Sequence, residues 1–307
     1  MNILITGACG HIGSYLAENI YKIKKIKKVY LVDDLEHGKI NTLFKSKKKN
    51  KLKFFICDVS KKNSLNFLKN IKVVIHLASL TNAAGSFKIK KKMYKNNLEC
   101  FRNVINFCKK NKSKLIHISS TSVYGKQADV VYEDSGHKFL NPQSPYADIK
   151  LIEEKILEKE KNKLKFVTFR FGTIAGISKG MRFHTAVNKF CLNAALNLPI
   201  QVYSTALNQY RPYLSLRDAF KVFKFCIDKN LFNNQIYNAL SGNFTVNQII
   251  NKIRKHKKKI KIKFIKSEIM NQLSYHVSND KLKKTGLNIN NNLEKDILNT
   301  LLLLKNI

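Results

Sequence analysis

Tyr146 and Lys150 stand four positions apart in the segment PQSPYADIK, which covers residues 142–150. Residues four apart share one face of a helix, so the lysine ammonium group can lie beside the phenol. Its positive charge favours the ionised phenol and should lower the pKa of Tyr146 below its ordinary value. A tyrosine activated in this way can exchange a proton with a bound hydroxyl group, so the pair predicts general acid–base chemistry.

The spacing alone is weak evidence, because lysine and arginine fill 57 of the 307 positions. Tyr21 and Lys25 show the same spacing near the end of the first predicted helix. The two pairs differ in their surroundings. Tyr146 follows SSTSVYG (119–125), which closes an apolar run, and ligands of open α/β sheets bind where strands end. Ser120, at that strand end, would hold the reacting oxygen by a hydrogen bond.

A glycine-rich turn follows the first apolar run. Gly7, Gly10 and Gly13 lie between a predicted strand and a predicted helix. Small residues there let the backbone approach a pyrophosphate, whose charge the free N–H groups of the helix start would stabilise. A generic turn can also carry glycines, but the second predicted strand ends in Asp33 and Asp34. A carboxylate at that place can accept hydrogen bonds from a ribose and repel the extra phosphate of NADP, which predicts NAD.

These residues require a scaffold of alternating strands and helices. Continuous apolar, β-branched runs predict an α/β fold with a doubly wound parallel sheet, the Rossmann arrangement, followed by a smaller mixed α/β substrate-binding lobe. We place the NAD-binding Rossmann domain at 1–171 and the lobe at 172–307, with segments near 200–225 and 234–240 returning to the Rossmann domain. The predicted strands are 2–6, 28–34, 53–59, 73–79, 115–120, 165–172, 199–203 and 234–240, and the predicted helices are 90–111, 145–162, 183–197, a turn and helix over 212–230, one from 245, and 293–304.

The composition limits the partners. The formal net charge is +37, but lysine is spread along the whole chain and base-reading arginines are few. We therefore predict solvated lysine faces, no specific nucleic-acid partner, and only a weak, salt-sensitive attraction to polyanions. The six cysteines lack C-x-x-C spacing and are expected to be reduced core residues, with no bound metal. No apolar run approaches the roughly 18 to 20 residues that span a membrane, so we expect a cytoplasmic protein.

The order of the motifs resembles the extended short-chain dehydrogenase/reductase family, in particular its nucleotide-sugar epimerases and dehydratases. The matching segments are TGACGHIG, the strand-end Asp33, CDV, IHLAS, YKNNLECFRNV, ISSTSVYG, PYADIK, FRFGTIAG and RPYLSLRDA. The resemblance implies Ser120, Tyr146 and Lys150 as the catalytic set. It also implies a homodimer built on the helices 90–111 and 145–162, although Leu98, Phe101, Ile105 and Cys108 can equally face the chain's own sheet.

The expected NAD contacts combine the glycine turn with the strand ends. Asp58 is a candidate for the adenine edge, with a simple strand-end turn as the alternative, and the resemblance implies that Asn97 helps to set the lysine through water. The complete set is Gly7, Gly10, His11, Ile12, Gly13, Asp33, Asp58, Val59, Leu77, Ala78, Ser79, Asn97, Tyr146 and Lys150.

The expected substrate contacts are Thr121, Thr173, Arg182, Asn188 and Arg211. Arg211 matches the family's arginine that clasps the nucleotide-sugar diphosphate, whereas Thr173 replaces the asparagine usual in UDP-hexose 4-epimerases. Arg182 and Asn188 are expected to line the substrate cleft, and their neighbours His184 and Lys189 to lie on the surface.

The residues after Ser120 bear on the type of reaction. Family members that dehydrate a sugar carry Asp-Glu there, and those that decarboxylate a uronic acid carry a glutamate at the place of Ser122; this chain has Thr121 and Ser122. What remains is reversible oxidation of a carbinol, which favours an NAD-dependent nucleotide-sugar epimerase. A nucleotide-sugar dehydrogenase or 4-keto-sugar reductase is the alternative. A catalytically idle NAD-binding or RNA-associated protein is a third possibility, against which the intact catalytic set argues.

Overall fold

Strands and helices alternate along the chain from its second residue. The computed structural model describes residues 1–36, 39–44, 51–81, 85–127, 129–265 and 275–305. The strands are β1 (Asn2–Thr6), β2 (Lys28–Asp33), β3 (Leu52–Ile56), β4 (Val73–His76), β5 (Lys114–Ser120), β6 (Val130–Val131), β7 (Phe166–Phe171), β8 (Thr173–Ala175), β9 (Ile200–Tyr203), β10 (Tyr210–Ser215), β11 (Ile236–Ala239), β12 (Gly242–Thr245), β13 (Ile262–Ile265) and β14 (His276–Val277). The helices are α1 (His11–Asn19), α2 (Lys90–Asn111), α3 (Pro145–Glu160), α4 (Ala186–Ala195), α5 (Leu216–Lys229), α6 (Val246–His256), α7 (Asp280–Lys283) and α8 (Leu293–Leu303).

The central sheet has seven strands in the order β3-β2-β1-β4-β5-β7-β11, and every neighbouring pair is parallel. The chain begins at β1, moves outward to β3, and returns to build the other half from β4. The strand order therefore reverses between β1 and β4, where an open α/β sheet forms its ligand crevice. The predicted doubly wound parallel sheet is confirmed.

Helices cover both faces of this sheet. Ile3 and Ile5 of β1 point into a core shared with α1 and α5, while Leu4 points into the core formed with α2 and α3. Alternate residues of one strand are thus buried on opposite faces, which explains why the sequence of β1 is apolar throughout. Phe101 and Cys108 of α2 are buried in the second of these cores and face the chain's own sheet.

The smaller lobe contains a mixed sheet in which β10 pairs with β12 in antiparallel and with β8 in parallel orientation. Its core packs α4, α6 and α8 around residues such as Val187, Ile249 and Ile297. The predicted turn before the helix of 212–230 is wrong, because β10 occupies 210–215. Pro212 hides this strand in the sequence, since proline is rare in the middle of a sheet.

The two parts of the chain exchange segments. β11 forms an edge of the seven-stranded sheet beside β7, and α5 packs into the core under that sheet. β9 lies in the segment predicted to return to the Rossmann domain, but it pairs instead with β13 and buries Ile200 and Val202 in the core of the lobe. The domain limits themselves stay a prediction.

The six cysteines are all buried and unpaired with one another. Among the helices that the structure describes, none combines the length and the apolar character needed to cross a membrane.

Candidate functional site

A cavity of about 590 Å³ opens where β1, β2 and β4 end. Its walls come from the glycine turn after β1, from the residues that follow β2, β3 and β4, from α2, and from a segment of the smaller lobe that follows β8. The lining residues are Gly7, Cys9, Gly10, Asp33, Asp34, Glu36, Lys39, Cys57, Val59, Leu77, Ala78, Ser79, Leu80, Thr81, Ile89, Asn96, Cys100, Met181, Arg182, Phe183 and His184.

The glycine turn forms the floor of the cavity. Gly7 has φ +67°, a backbone conformation that favours glycine, and a Cβ there would lie 2.7 Å from the Ala78 nitrogen. A Cβ on Gly13 would lie 2.2 Å from the Gly7 carbonyl oxygen, so this helix can approach the turn only without a side chain. Gly10 is the N-cap of α1 and brings no capping side chain. The first N–H groups of α1 thus suit a phosphate ligand.

Asp33, at the end of β2, forms part of the neighbouring wall of the cavity. Its carboxylate accepts hydrogen bonds from the backbone N–H groups of Cys9 and Leu35, both at 3.0 Å. Asp34 and Glu36 line the cavity beside it. This acidic edge suits the hydroxyl groups of a ribose and opposes a further phosphate, so the residues present fit NAD.

The structure brings Ser120, Tyr146 and Lys150 together. Ser120 ends β5, and α3 begins at Pro145 with the Ser144 hydroxyl accepting the Ala147 N–H at 3.2 Å. This serine cap and the proline in the first turn start the helix just before the tyrosine. Tyr146 and Ser120 are hydrogen-bonded, and the Lys150 Nζ atom lies 5.9 Å from the centroid of the Tyr146 ring.

The second Tyr–Lys pair has different surroundings. Lys25 precedes β2, near the amino ends of the strands, and its Nζ atom donates to the Asp228 carbonyl oxygen at 2.5 Å. Tyr21 lies in a short helical turn after α1. Tyr21 and Lys25 therefore lie near the amino ends of the strands, whereas the cavity lies at their carboxyl ends.

The pKa of Tyr146 differs from the prediction. Lys150 acts in the expected direction, but burial of the phenol is the larger effect and raises the pKa above its ordinary value. Glu153 adds to that increase through its negative charge, while Arg182 opposes it. The predicted net lowering of the Tyr146 pKa is therefore wrong. How far water is excluded from the phenol depends on tertiary packing, which the spacing of Tyr146 and Lys150 does not show.

Two buried acidic residues on α3 were missed from the sequence. Glu153 accepts hydrogen bonds from Lys150 at 2.8 Å and from His117 at 2.9 Å. Glu154 forms a bidentate ion pair with Arg170 of β7, in which the Nε and Nη2 atoms of the arginine donate to the two carboxylate oxygens at 2.9 and 2.6 Å. In the sequence, only their spacing of three and four residues after Lys150 indicated that they could lie near the lysine.

Seven of the predicted NAD contacts line the cavity: Gly7, Gly10, Asp33, Val59, Leu77, Ala78 and Ser79. The predicted contacts outside its lining are His11, Ile12, Gly13, Asp58, Asn97, Tyr146 and Lys150. Asp58 accepts the N–H and the hydroxyl of Ser60 at 2.9 and 2.6 Å, which is the simple strand-end turn given as the alternative.

Asn97 and His11 serve the scaffold. The Asn97 amide accepts the Leu80 N–H at 2.8 Å and donates to the Leu80 carbonyl at 3.0 Å, so it fixes the segment after β4. Its role toward Lys150 through water stays a prediction. The His11 ring is hydrogen-bonded to the Gly176 carbonyl at 2.8 Å, and burial lowers its pKa to about 4. Ile12 packs against the core under the sheet.

Arg182 is the predicted substrate residue that lines the cavity. Its guanidinium group donates to the Thr81 hydroxyl, and one terminal nitrogen lies 3.8 Å from the position of a Cβ on Gly10. The positive charge therefore lies over the phosphate cradle and interacts with Tyr146. His184 and Lys189 are both exposed, as predicted, and His184 also lines the mouth of the cavity.

Asn188 supports the segment that carries Arg182. It is fully buried, accepts the Gly176 N–H at 3.2 Å and donates to the Arg182 carbonyl at 3.0 Å. Asn188 therefore stabilises the segment after β8. Contrary to the prediction, it does not line the cavity, because its side chain is fully buried.

The three other predicted substrate residues lie outside the cavity lining. Thr121 is buried and donates to the Phe171 carbonyl at 3.3 Å. Thr173 begins β8, and Arg211 lies half-buried in β10 opposite Phe244.

The chain is similar to known nucleotide-sugar enzymes. It is 25% identical over 315 residues to a trifunctional UDP-glucose 4,6-dehydratase/UDP-4-keto-6-deoxy-D-glucose 3,5-epimerase/UDP-4-keto-L-rhamnose-reductase of Arabidopsis thaliana, an alignment that covers 98% of this chain and 46% of the relative. It is 30% identical over 254 residues to a dTDP-D-glucose 4,6-dehydratase of Dictyostelium discoideum, covering 77% of this chain and 57% of that protein. The chain thus spans about half the length of these curated relatives.

The fold is shared with solved structures. The UDP-N-acetylglucosamine 4-epimerase of Methanobrevibacter ruminantium M1, in complex with UDP-N-acetylmuramic acid, superposes with a TM-score of 0.85 at 24% identity, covering 98% of this chain and 96% of that one. The profile of the NAD dependent epimerase/dehydratase family matches residues 3–239, which include the glycine turn, the catalytic set and β11. This chain belongs to the NAD dependent epimerase/dehydratase family.

Proposed function

We propose that this chain is an NAD-dependent nucleotide-sugar epimerase. The observation that carries the proposal is that Ser120, Tyr146 and Lys150 lie together and that Tyr146 interacts with Arg182, which lines the cavity between the glycine cradle and the acidic edge that fit NAD. Bound NAD would accept a hydride from a sugar carbinol and later return it to the opposite face of the same carbon. The net reaction inverts one carbon and needs no external oxidant.

The protein's part in this reaction is proton transfer and orientation. Ser120 holds the reacting hydroxyl by a hydrogen bond, and Tyr146 removes its proton as the carbon is oxidised. Lys150 stabilises the tyrosinate by its charge. When the hydride returns to the ketone, Tyr146 gives the proton back, so the dyad ends in its starting state.

The residues next to Ser120 favour epimerisation over loss of water. Elimination across carbons 5 and 6 of a sugar needs an additional acid and an additional base beside those carbons. The Thr121 hydroxyl is directed to the Phe171 carbonyl, and the Ser122 hydroxyl donates to Ser120 at 2.8 Å. Neither position offers a carboxyl group, although two of the relatives named above are dehydratases.

A nucleotide sugar is proposed as the substrate on two grounds. The relatives named above act on UDP- and dTDP-sugars by their descriptions, and the solved epimerase was captured with a UDP-sugar. In this chain, the half-buried Arg211 of the smaller lobe is proposed to hold the diphosphate.

The test is an NMR time course of the purified protein with a panel of nucleotide sugars, with and without added NAD. We expect one sugar to be inverted at one carbon without added NAD. Turnover in proportion to added NAD or NADH would make the protein a dehydrogenase or a 4-keto-sugar reductase, and formation of a 4-keto-6-deoxy sugar would make it a dehydratase.

The acidic edge predicts the choice of dinucleotide. Asp33→Asn should weaken NAD binding by about tenfold or more, because a hydrogen bond to a charged group contributes about 1.5–3 kcal/mol. It should also reduce the preference for NAD over NADP, since one negative charge near the ribose is removed. Fluorescence titration with both dinucleotides measures this. Asp280→Asn, at an exposed carboxylate far along the chain, is the control, and equal losses in both variants would contradict the assignment.

The homodimer stays a prediction. Phe101, Ile105 and Cys108 are buried in the chain's own core, so a symmetric contact through α2 would rely on partly exposed positions such as Leu98. Light scattering of the purified protein would decide between the mass of one chain and that of two.

A further inference from the structure

A carboxylate lies directly behind the catalytic lysine. The Glu153 side chain is 1% exposed and Lys150 is 5% exposed, and their ion pair measures 2.8 Å. The His117 ring nitrogen Nε2 is 2.9 Å from the same carboxylate oxygen, and its Nδ1 lies 3.2 Å from the Thr168 hydroxyl. Lys150 is therefore held between the phenol on one side and a buried, fixed anion on the other.

Glu153 keeps its negative charge in this position. Burial alone would raise its pKa, but the charge of Lys150 and the hydrogen bond from His117 outweigh burial and lower the pKa to about 2. Burial lowers the pKa of His117, so the ring is neutral and donates its Nε2 hydrogen to Glu153. Burial is the largest single effect on Lys150 and would lower its pKa, but the charge and hydrogen bond of Glu153 act together with Tyr146 and Glu154 and raise it.

The charged and titratable groups around this pair come from several elements. Tyr146 and Glu154 face Lys150 from α3, and Arg182 approaches the phenol from the segment after β8. His117 of β5 and His76 of β4 face Glu153, and burial holds the pKa of His76 at about 3, so it is neutral. Lys150 and His117 share the Oε2 atom of Glu153, whereas its Oε1 atom is buried and has no hydrogen-bond partner among the described residues.

We propose that Glu153 is a positioning residue that holds the Lys150 ammonium group beside Tyr146 and offsets its positive charge. This inference rests on the proposed function, because it concerns the same catalytic set. Lys150 and Glu153 together carry no net charge, so the phenol experiences less positive potential than it would beside Lys150 alone. Tyr146 is thereby biased toward the protonated form, which is the form that protonates the sugar ketone when the hydride returns.

The first test follows the ionisation of Tyr146 directly and needs no substrate. Tyrosinate absorbance is measured against pH in the wild type, and the same titration of Tyr146→Phe identifies the contribution of this residue. We expect Glu153→Gln to move the Tyr146 titration to lower pH, because the anion is removed and Lys150 remains. Glu153→Asp keeps the charge and should stay near the wild type. Glu158→Gln removes an exposed carboxylate from the same helix and is the matched control.

The outcome is decisive in either direction. A Tyr146 titration in Glu153→Gln that is unchanged, or moved to higher pH, overturns the inference. If circular dichroism shows that Glu153→Gln does not fold, Glu153→Met, a second uncharged variant of similar size, takes its place. Glu153→Met should also move the Tyr146 titration to lower pH.

The second test is the pH dependence of turnover on the sugar found in the NMR panel. We expect the rising acid limb of kcat to move to lower pH in Glu153→Gln, with maximal turnover lower by about tenfold as Lys150 loses its charged partner. A merely structural role would lower turnover without moving the limb. If no nucleotide sugar is turned over, the proposed function fails, while the tyrosinate titration still decides the role of Glu153.

Discussion

Tyr146→Phe should lower turnover by about 10²- to 10⁴-fold while the fold and the bound dinucleotide are retained. The variant removes one oxygen atom, which is hydrogen-bonded to Ser120 and lies beside Lys150. Without it, no group in this set can take the proton of the sugar hydroxyl, whereas the ring still fills its site. The measurement is the NMR assay, with thermal unfolding and the dinucleotide content determined on the same preparation.

Tyr21→Phe is the matched control for this variant. Tyr21 has a lysine at the same spacing, but it lies at the opposite edge of the sheet, so its loss should leave turnover within about twofold of the wild type. Near-normal turnover in Tyr146→Phe would refute the assignment of the dyad. Equal losses in both variants would show that the loss of turnover is not specific to Tyr146.

Arg170→Met should destabilise the protein by about 3–5 kcal/mol, because it removes one partner of a buried ion pair. The Arg170 side chain is 2% exposed, binds Glu154 through two nitrogens and donates to the Tyr124 hydroxyl at 2.8 Å. In the variant, the Glu154 carboxylate stays buried with the Ser119 hydroxyl, at 2.5 Å, as its remaining side-chain donor among the described residues. Urea unfolding followed by circular dichroism measures the loss.

Two further variants make this stability prediction specific. Arg254→Met removes an exposed arginine from α6 and should change the free energy of unfolding by less than about 0.5 kcal/mol. Replacing both Arg170 and Glu154 by methionine should recover part of the loss, since no uncompensated charge is left in the core. A loss below about 1 kcal/mol in the single variant would contradict the role given to this pair.

These two predictions concern different layers of the same site. Tyr146 is proposed to act at the reacting atoms, whereas Arg170 and Glu154 join β7 to α3. Ser119 connects the layers, because its hydroxyl donates to Glu154 and its neighbour Ser120 holds Tyr146. Glu154 thus links β7, through Arg170, and the end of β5, through Ser119, to the middle of α3.

Much of the scaffold could be predicted from local patterns. The helix predicted at 90–111 has those bounds, because its apolar face repeats with the period of a helix. The strands of the central sheet appear as continuous apolar runs because both of its faces are covered. The cradle could also be predicted, since glycines at this spacing between a strand and a helix are typical of a turn that binds a dinucleotide phosphate.

The sequence by itself therefore determined the sheet, the turn that fits NAD, and the candidacy of Ser120, Tyr146 and Lys150. Tertiary structure decided what depends on distant neighbours. The hydrogen bonds of Asp58 with Ser60 and of Asn97 with Leu80 are contacts that only the folded chain shows. The sign of the Tyr146 pKa shift also came from packing, because burial and Glu153 oppose Lys150. Desolvation and charge pairing are set by groups that are close in space, and their sequence spacing does not reveal them.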